Sequence, residues 1–144
     1  MAIGLVVLRM LGGGATPARS QWPLELGDMV AVTRTPKSEI KLMVFYGGFL
    51  DEESVWRLTA SPEQHQNLVE NLKVYELAEV EAKTVPTDFE HIFPVLWRPT
   101  RNAACRFFTT PDFPWNSRGQ DGTQFALMYD PNSQHLFVWN KDNF

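Results

Sequence analysis

The sequence predicts an α+β fold, an antiparallel sheet of four to five strands with one main helix packed on one face. Three observations predict it. Residues 40–60 read as one hairpin, residues 124–140 read as another, and Ser61 opens a capped amphipathic helix just after the first.

The first hairpin begins at residues 40–46, which are apolar, partly alternating and rich in β-branched and aromatic members. That composition suits a pleated, half-buried strand. Gly47-Gly48 ends it and Asp51-Glu52-Glu53 supplies a polar turn. Residues 54–60 then alternate, with Trp56, Leu58 and Ala60 on one face and Val55, Arg57 and Thr59 on the other.

The helix start has the strongest local signature in the chain. Ser61 can accept from the backbone N–H three residues on, Gln64 can return the bond, and Pro62 suits the first helical position. His65, Leu68, Val69 and Leu72 fall at i, i+3, i+4 and i+7, one face of a helix over residues 62–72. Residues 73–82 suit either further helix or a short strand. Thr87-Asp88-Phe89-Glu90 resembles a second capping box, and Pro94 limits that helix to two turns. Residues 94–114 are loop-rich, with prolines at 94, 99, 111 and 114 and a short apolar piece at 105–108.

In the last hairpin Phe125, Leu127 and Tyr129 share a face, Asp130-Pro131-Asn132-Ser133 forms a β-turn, and residues 135–140 return. Leu136 and Val138 lie opposite Phe137 and Trp139, so both faces carry apolar groups. A strand pair of that kind is central, or covered on both sides.

The chain has 144 residues, the length of one domain, with five Trp and ten Phe available to its core. We place the domain at residues 21–144. Residues 1–20 are a tail or a targeting remnant. Residues 1–11 are apolar apart from Arg9, and Gly12-Gly13-Gly14 and Pro17 follow. A shortened export signal and an N-terminal strand over residues 3–8 are both consistent with that pattern. The compartment therefore stays open between cytoplasm and export. No stretch approaches the roughly 20 apolar residues of a membrane span.

Around residues 47–63, the run Gly47-Gly48-Phe49-Leu50-Asp51 followed by Trp56-Arg57-Leu58-Thr59-Ala60-Ser61-Pro62-Glu63 resembles a pattern in small bacterial α+β domains. The element Trp97-Arg98-Pro99 and the closing Tyr129-Asp130 turn with its aromatic strand extend the resemblance over residues 40–140. The resemblance implies the architecture and implies no activity.

The net charge is −4, and it is uneven: residues 1–94 carry −5 and residues 95–144 carry +1. An acidic chain lacks the basic stripe of a general nucleic-acid binder. Cys105 is the single cysteine, so no intramolecular disulfide forms. His65, His91 and His135 are scattered without metal-ligand spacing, and no phosphate loop, dinucleotide, nucleophile-elbow or zinc-protease motif occurs. No cofactor and no metal are expected. The three adjacent acids at 51–53 read as a solvated turn.

The candidate ligand-binding residues are Trp97, Arg98, Arg101, Trp115, Arg118 and Asp121, with Arg106 nearby. Loop-borne indoles and guanidinium groups can stack on a ligand and grip an anion. The leading functional expectation is a non-enzymatic binding module for a protein partner, in one version a toxin-neutralising protein whose acidic surface plugs a basic site. The alternatives are a small-molecule or anion binder, or a weak enzyme, using the Trp/Arg loops, and an exported envelope protein.

Overall fold

The structure is a computed structural model that describes residues 18–46, 52–111, 113 and 122–143. Helix α1 spans Leu24–Thr33. Strands β1 (Lys41–Tyr46) and β2 (Glu52–Thr59) follow, then helix α2 (Pro62–Asn71) and strand β3 (Ala78–Val80). Helix α3 (Asp88–Ile92), strand β4 (Arg106–Thr109) and the pair β5 (Gly122–Asp130) and β6 (His135–Asn143) complete the chain. The six strands form one sheet in the order β1-β2-β6-β5-β4-β3, every neighbouring pair antiparallel. The α+β class and the antiparallel sheet are as the sequence predicts. The sheet has six strands where four to five are expected, and α1 and α3 accompany the main helix.

Both expected hairpins form, and β6 of the second pairs with β2 of the first. Register then sorts side chains by the period of two. Leu127 lies opposite Val138, and Val138 opposite Trp56, so these three make a row on one face. Trp56, Leu58, Phe125, Tyr129 and Leu136 extend this first core. Val55, Ala126, Met128 and Phe137 occupy the other face and build a second. Adjacent phenylalanines in β4 divide between them: Phe107 enters the second core and Phe108 the first.

Helix α2 covers the first core as the spacing predicts, with His65, Leu68 and Leu72 buried. The capping box is complete: Gln64 N donates to Ser61 Oγ at 3.2 Å and Ser61 N donates to Gln64 Oε1 at 2.9 Å. The chain tightens into a 3₁₀ turn over Leu72–Tyr75 and leaves through Glu76 at φ 60°. His65 stacks on Tyr129 with ring centroids 3.9 Å apart and meets Phe108 edge-on at 5.2 Å. The Tyr129 hydroxyl donates to the Ala60 carbonyl at 2.7 Å. Burial, and then the Arg106 charge, push the His65 imidazole down to about 4.

Helix α1 covers the same core through Leu26 and Met29. Thr33 Oγ1 lies 2.8 Å from Thr35 Oγ1, which donates to the Thr59 carbonyl at 2.8 Å, tying the helix end to β2. The second core is covered by residues 82–105, where Val85, Phe89, Phe93 and Trp97 are buried. Thr87 precedes α3 without making a side-chain cap, so the second capping box is not realised. Arginines hold this strap instead. Arg101 donates to the carbonyls of Ala82 (3.0 Å) and Val85 (2.8 Å), pairs with Glu90, and lies 4.6 Å from the Phe107 ring centroid.

Ser61→Ala should cost about 1 kcal/mol in urea denaturation, and Leu68→Ala about 2–5 kcal/mol, with an unchanged denaturant slope. His65 sets a pH dependence. Its imidazole is harder to protonate when folded, so the unfolded chain takes up the proton first as pH falls below 6.5, and stability declines toward pH 4. His65→Phe should lose less stability than the native protein between pH 7.5 and pH 5.0; equal losses would contradict the packing assigned to His65.

Candidate functional site

The helix-covered face is apolar along most of its length and turns polar at one end. In β6 the alternation that buries Leu136 and Val138 continues into Asn140 and Asp142. In β2 Ser54 stands two residues before Trp56, and in β5 Thr123 stands two before Phe125. All four therefore point to the α1 side of the sheet. Helix α1 begins over this end and adds Glu25, one turn ahead of the buried Met29. Thr123 Oγ1 donates to Glu25 Oε1 at 3.3 Å.

Two carboxylates belong to this end: Glu25 accepts from Thr123, and Thr123 is the cross-strand partner of Asp142. Burial holds the Glu25 carboxyl above its usual range, and the Asp142 charge pushes it the same way. Asn140 is 0% exposed and Asp142 is 8% exposed. Asn140 Nδ2 donates to Asp142 Oδ2 at 3.3 Å and reaches Ser54 Oγ at 3.5 Å. Asn140 Oδ1 and Asp142 Oδ1, both buried, receive no hydrogen bond from the described residues. Buried oxygens are nearly always satisfied, so two adjacent orphans mark a place where the fold leaves acceptor capacity unused.

Three exposed apolar side chains, Leu24, Val74 and Tyr75, belong to the segments that border this end. Tyr75 packs edge-on against Phe125 with centroids 5.3 Å apart. Its phenol is raised by burial first, then by the charges of Glu25, Asp28 and Asp142. Val74 beside it is 79% exposed. Leu24 is 78% exposed and stands one helical turn before Asp28, so the two share a side of α1. Lys73, the nearest cation in sequence, is occupied by Glu70 at 2.8 Å.

The sequence-predicted residues that the structure describes lie elsewhere. Trp97 is buried in the second core, edge-on to Phe93 at 5.8 Å. Arg98 donates to the carbonyls of Phe93 (3.1 Å) and His91 (3.4 Å), and Arg101 is spent on the strap. Arg106 forms a two-point pair with Glu79, at 2.8 and 2.9 Å. The structure thus brings Trp97, Arg98 and Arg101 into one strap and turns the named arginine donors onto protein acceptors. Trp115, Arg118 and Asp121 lie outside the described residues, as do Gly47, Gly48, Asp51 and the strand expected over residues 3–8. Glu53 accepts from Trp139 Nε1 at 2.9 Å. The Cys105 thiol is raised, chiefly by burial, and its sulfur accepts from Asn102 N at 3.4 Å.

Among the described residues no three His, Cys, Asp or Glu side chains come together, and no helix is long and apolar enough to cross a membrane. No protein-family model matches the chain, and neither a curated protein nor a solved structure does. Glu25, Asn140 and Asp142 were not singled out by the sequence reading. The available signal was the continuation of the inward alternation of β6 past Val138 into amide and carboxylate side chains.

The raised Glu25 carboxyl gives a signed prediction. Its protonated form is favoured by folding, so the associated stability is present below pH 4.5 and is lost as pH rises through the folded value. In buffer containing a chelator, Glu25→Gln should therefore melt higher than the native protein at pH 7.5, and the gap should close toward pH 4. A variant melting lower at pH 7.5 would contradict the raised carboxyl that burial imposes on Glu25.

Proposed function

We propose that the protein is a non-enzymatic interaction module that binds a basic protein partner at the rim formed by Leu24, Val74 and Tyr75. The observation that carries the reading is the joining of exposed apolar side chains to a one-signed field. Leu24 and Val74 are largely exposed, and the charges of Glu25, Asp28 and Asp142 all act on the Tyr75 phenol. Exposed apolar groups supply the desolvated centre that association needs. The acids around them favour a cationic partner and speed its encounter. An uneven charge, −5 over residues 1–94, supports the same sign of partner. A neutralising protein that occludes the basic site of a toxin is one instance of this class.

The test is isolation of the tagged protein from its source cells with crosslinking. A stoichiometric partner with a basic contact surface should be recovered, its crosslinks should map to α1 and to the turn after α2, and it should be released by high salt. Asp28→Lys and Tyr75→Ala should each weaken binding of the purified partner at least tenfold while melting within a few degrees of the native protein. Recovery of no stoichiometric partner, or of one whose affinity ignores both variants, would reject the reading.

A further inference from the structure

We infer that the strap side of the sheet carries an oxyanion site, in which Arg57, Lys41 and His135 take inorganic phosphate or the phosphate group of a small ester. The inference goes beyond the proposed partner surface. It concerns the opposite face and the opposite end of the sheet, and it is tested on the isolated protein.

Strand register gathers the three groups. Lys41 in β1 is the cross-strand partner of Arg57 in β2, and Phe137 in β6 is the partner of Arg57 on its other side. Thr59 and His135 pair in the next row of the same face. Side chains directly opposite each other have Cβ atoms about 4.5–5.5 Å apart, so donors from three strands share one small area. The His135 ring meets Phe137 edge-on with centroids 6.0 Å apart, which keeps the imidazole beside the Arg57 row. The strap ends its cover at this row. Phe93 packs on Phe137 at 5.6 Å and Met43 is buried, whereas Lys41, Arg57, Thr59 and His135 are only half-buried.

Two cations directly opposite each other in a sheet repel. Among the described residues no carboxylate lies within ion-pair distance of Arg57 or Lys41. Glu39, two residues before Lys41, is exposed and acts on Arg57 only through its charge. Asp130, the partner of His135 in β5, spends its carboxylate on its own turn. It accepts from Asn132 N at 3.0 Å and from Ser133 Oγ at 3.1 Å. Arg57 Nε is buried and donates to none of the described residues. Buried N–H groups are nearly always satisfied. An unused guanidinium N–H beside a second cation is the donor set of an oxyanion.

The number of donors selects the anion. The fork of one arginine already satisfies both oxygens of a carboxylate. Here an ammonium, an imidazole and the Thr59 hydroxyl stand beside the fork, more donors than a planar monoanion can use. A phosphate group offers three or more acceptor oxygens and close to two negative charges at neutral pH, which matches the two fixed cations.

The experiment melts the full chain at pH 7.0 in 20 mM sodium phosphate, in 20 mM glycerol 3-phosphate and in 20 mM acetate, with ionic strength matched by chloride. Inorganic phosphate should raise the midpoint by about 4 °C over acetate. A rise in both phosphate arms fits a site for the group itself, and a rise with inorganic phosphate alone confines the site to the free anion. Arg57→Gln should abolish the rise and Lys41→Gln should reduce it at least threefold. Lys73→Gln, on the helix side of the sheet, should leave it intact. Arg57→Gln replaces an unpartnered donor, so it should melt within a few degrees of the native protein in acetate. A second readout uses the native chain alone. Burial, and then the Arg57 charge, hold the His135 imidazole below its usual range, with Glu39 and Asp130 acting the other way. Followed by NMR, His135 should titrate at higher pH in phosphate than in chloride, while His65, across the sheet, should not move. Equal melting in phosphate and acetate, a rise that Arg57→Gln retains, or a His135 titration that ignores phosphate would each overturn the proposal.

Discussion

The β5–β6 hairpin carries apolar side chains on both of its faces, and neither face can be left to water. Phe125, Leu127, Leu136 and Val138 look one way, and Ala126, Met128 and Phe137 look the other. Burying each large aliphatic or aromatic group contributes about 1.5–3 kcal/mol, so both sides demand cover. On one side α1 and α2 supply it with regular helices. On the other the cover is mostly irregular chain, whose carbonyls lack a ladder to accept into. Arg101 meets that need by donating to Ala82 and Val85, and Arg98 does so at Phe93 and His91. The strap arginines thus serve the second core, as the hydrogen-bonding counterpart of Val85, Phe89, Phe93 and Trp97 packing beneath them.

Much of this was legible in the sequence where local chemistry and tertiary demand agree. Ser61 and Gln64 state a capping box, and both bonds of the box are present. The two-faced pattern of residues 124–140 states double cover, and two cores are present. What escaped reading is what tertiary packing imposes on weak local signals. Helix α1 has Gly27 in its interior, β-branched Val30, Val32 and Thr33 in its second half, and Pro23 where a capping side chain would stand. Propensity argues against it, and burial of Leu26 and Met29 overrides the argument. Strand β3 is three residues long with Ala78 and Glu79 exposed, too short for any alternation to be read. The indole and guanidinium groups at 97–101 look the same in sequence whether they face a ligand or hold a strap.

The polar end of the first core was hidden for a related reason. The returning strand read from the sequence stops at Asn140, yet the period of two that places Val138 inward places Asn140 and Asp142 inward as well. Local hydrophilicity and strand geometry conflict there, and geometry prevails. Such conflicts are expected where a fold keeps polar groups for a purpose beyond stability. The charges of Glu25, Asp28 and Asp142 all act on Tyr75 at this end. The proposed partner recognition would draw on that potential.

Double burial of the β5–β6 hairpin is the claim on which the remaining assignments rest, and native-state hydrogen exchange tests it most directly. The amides of residues 125–129 and 136–138 should exchange most slowly, with an opening free energy equal to that of global unfolding, while those of β3 exchange by local opening. Faster exchange in the β5–β6 amides than in β3 would show that the hairpin is not enclosed on both sides, and the account would be wrong.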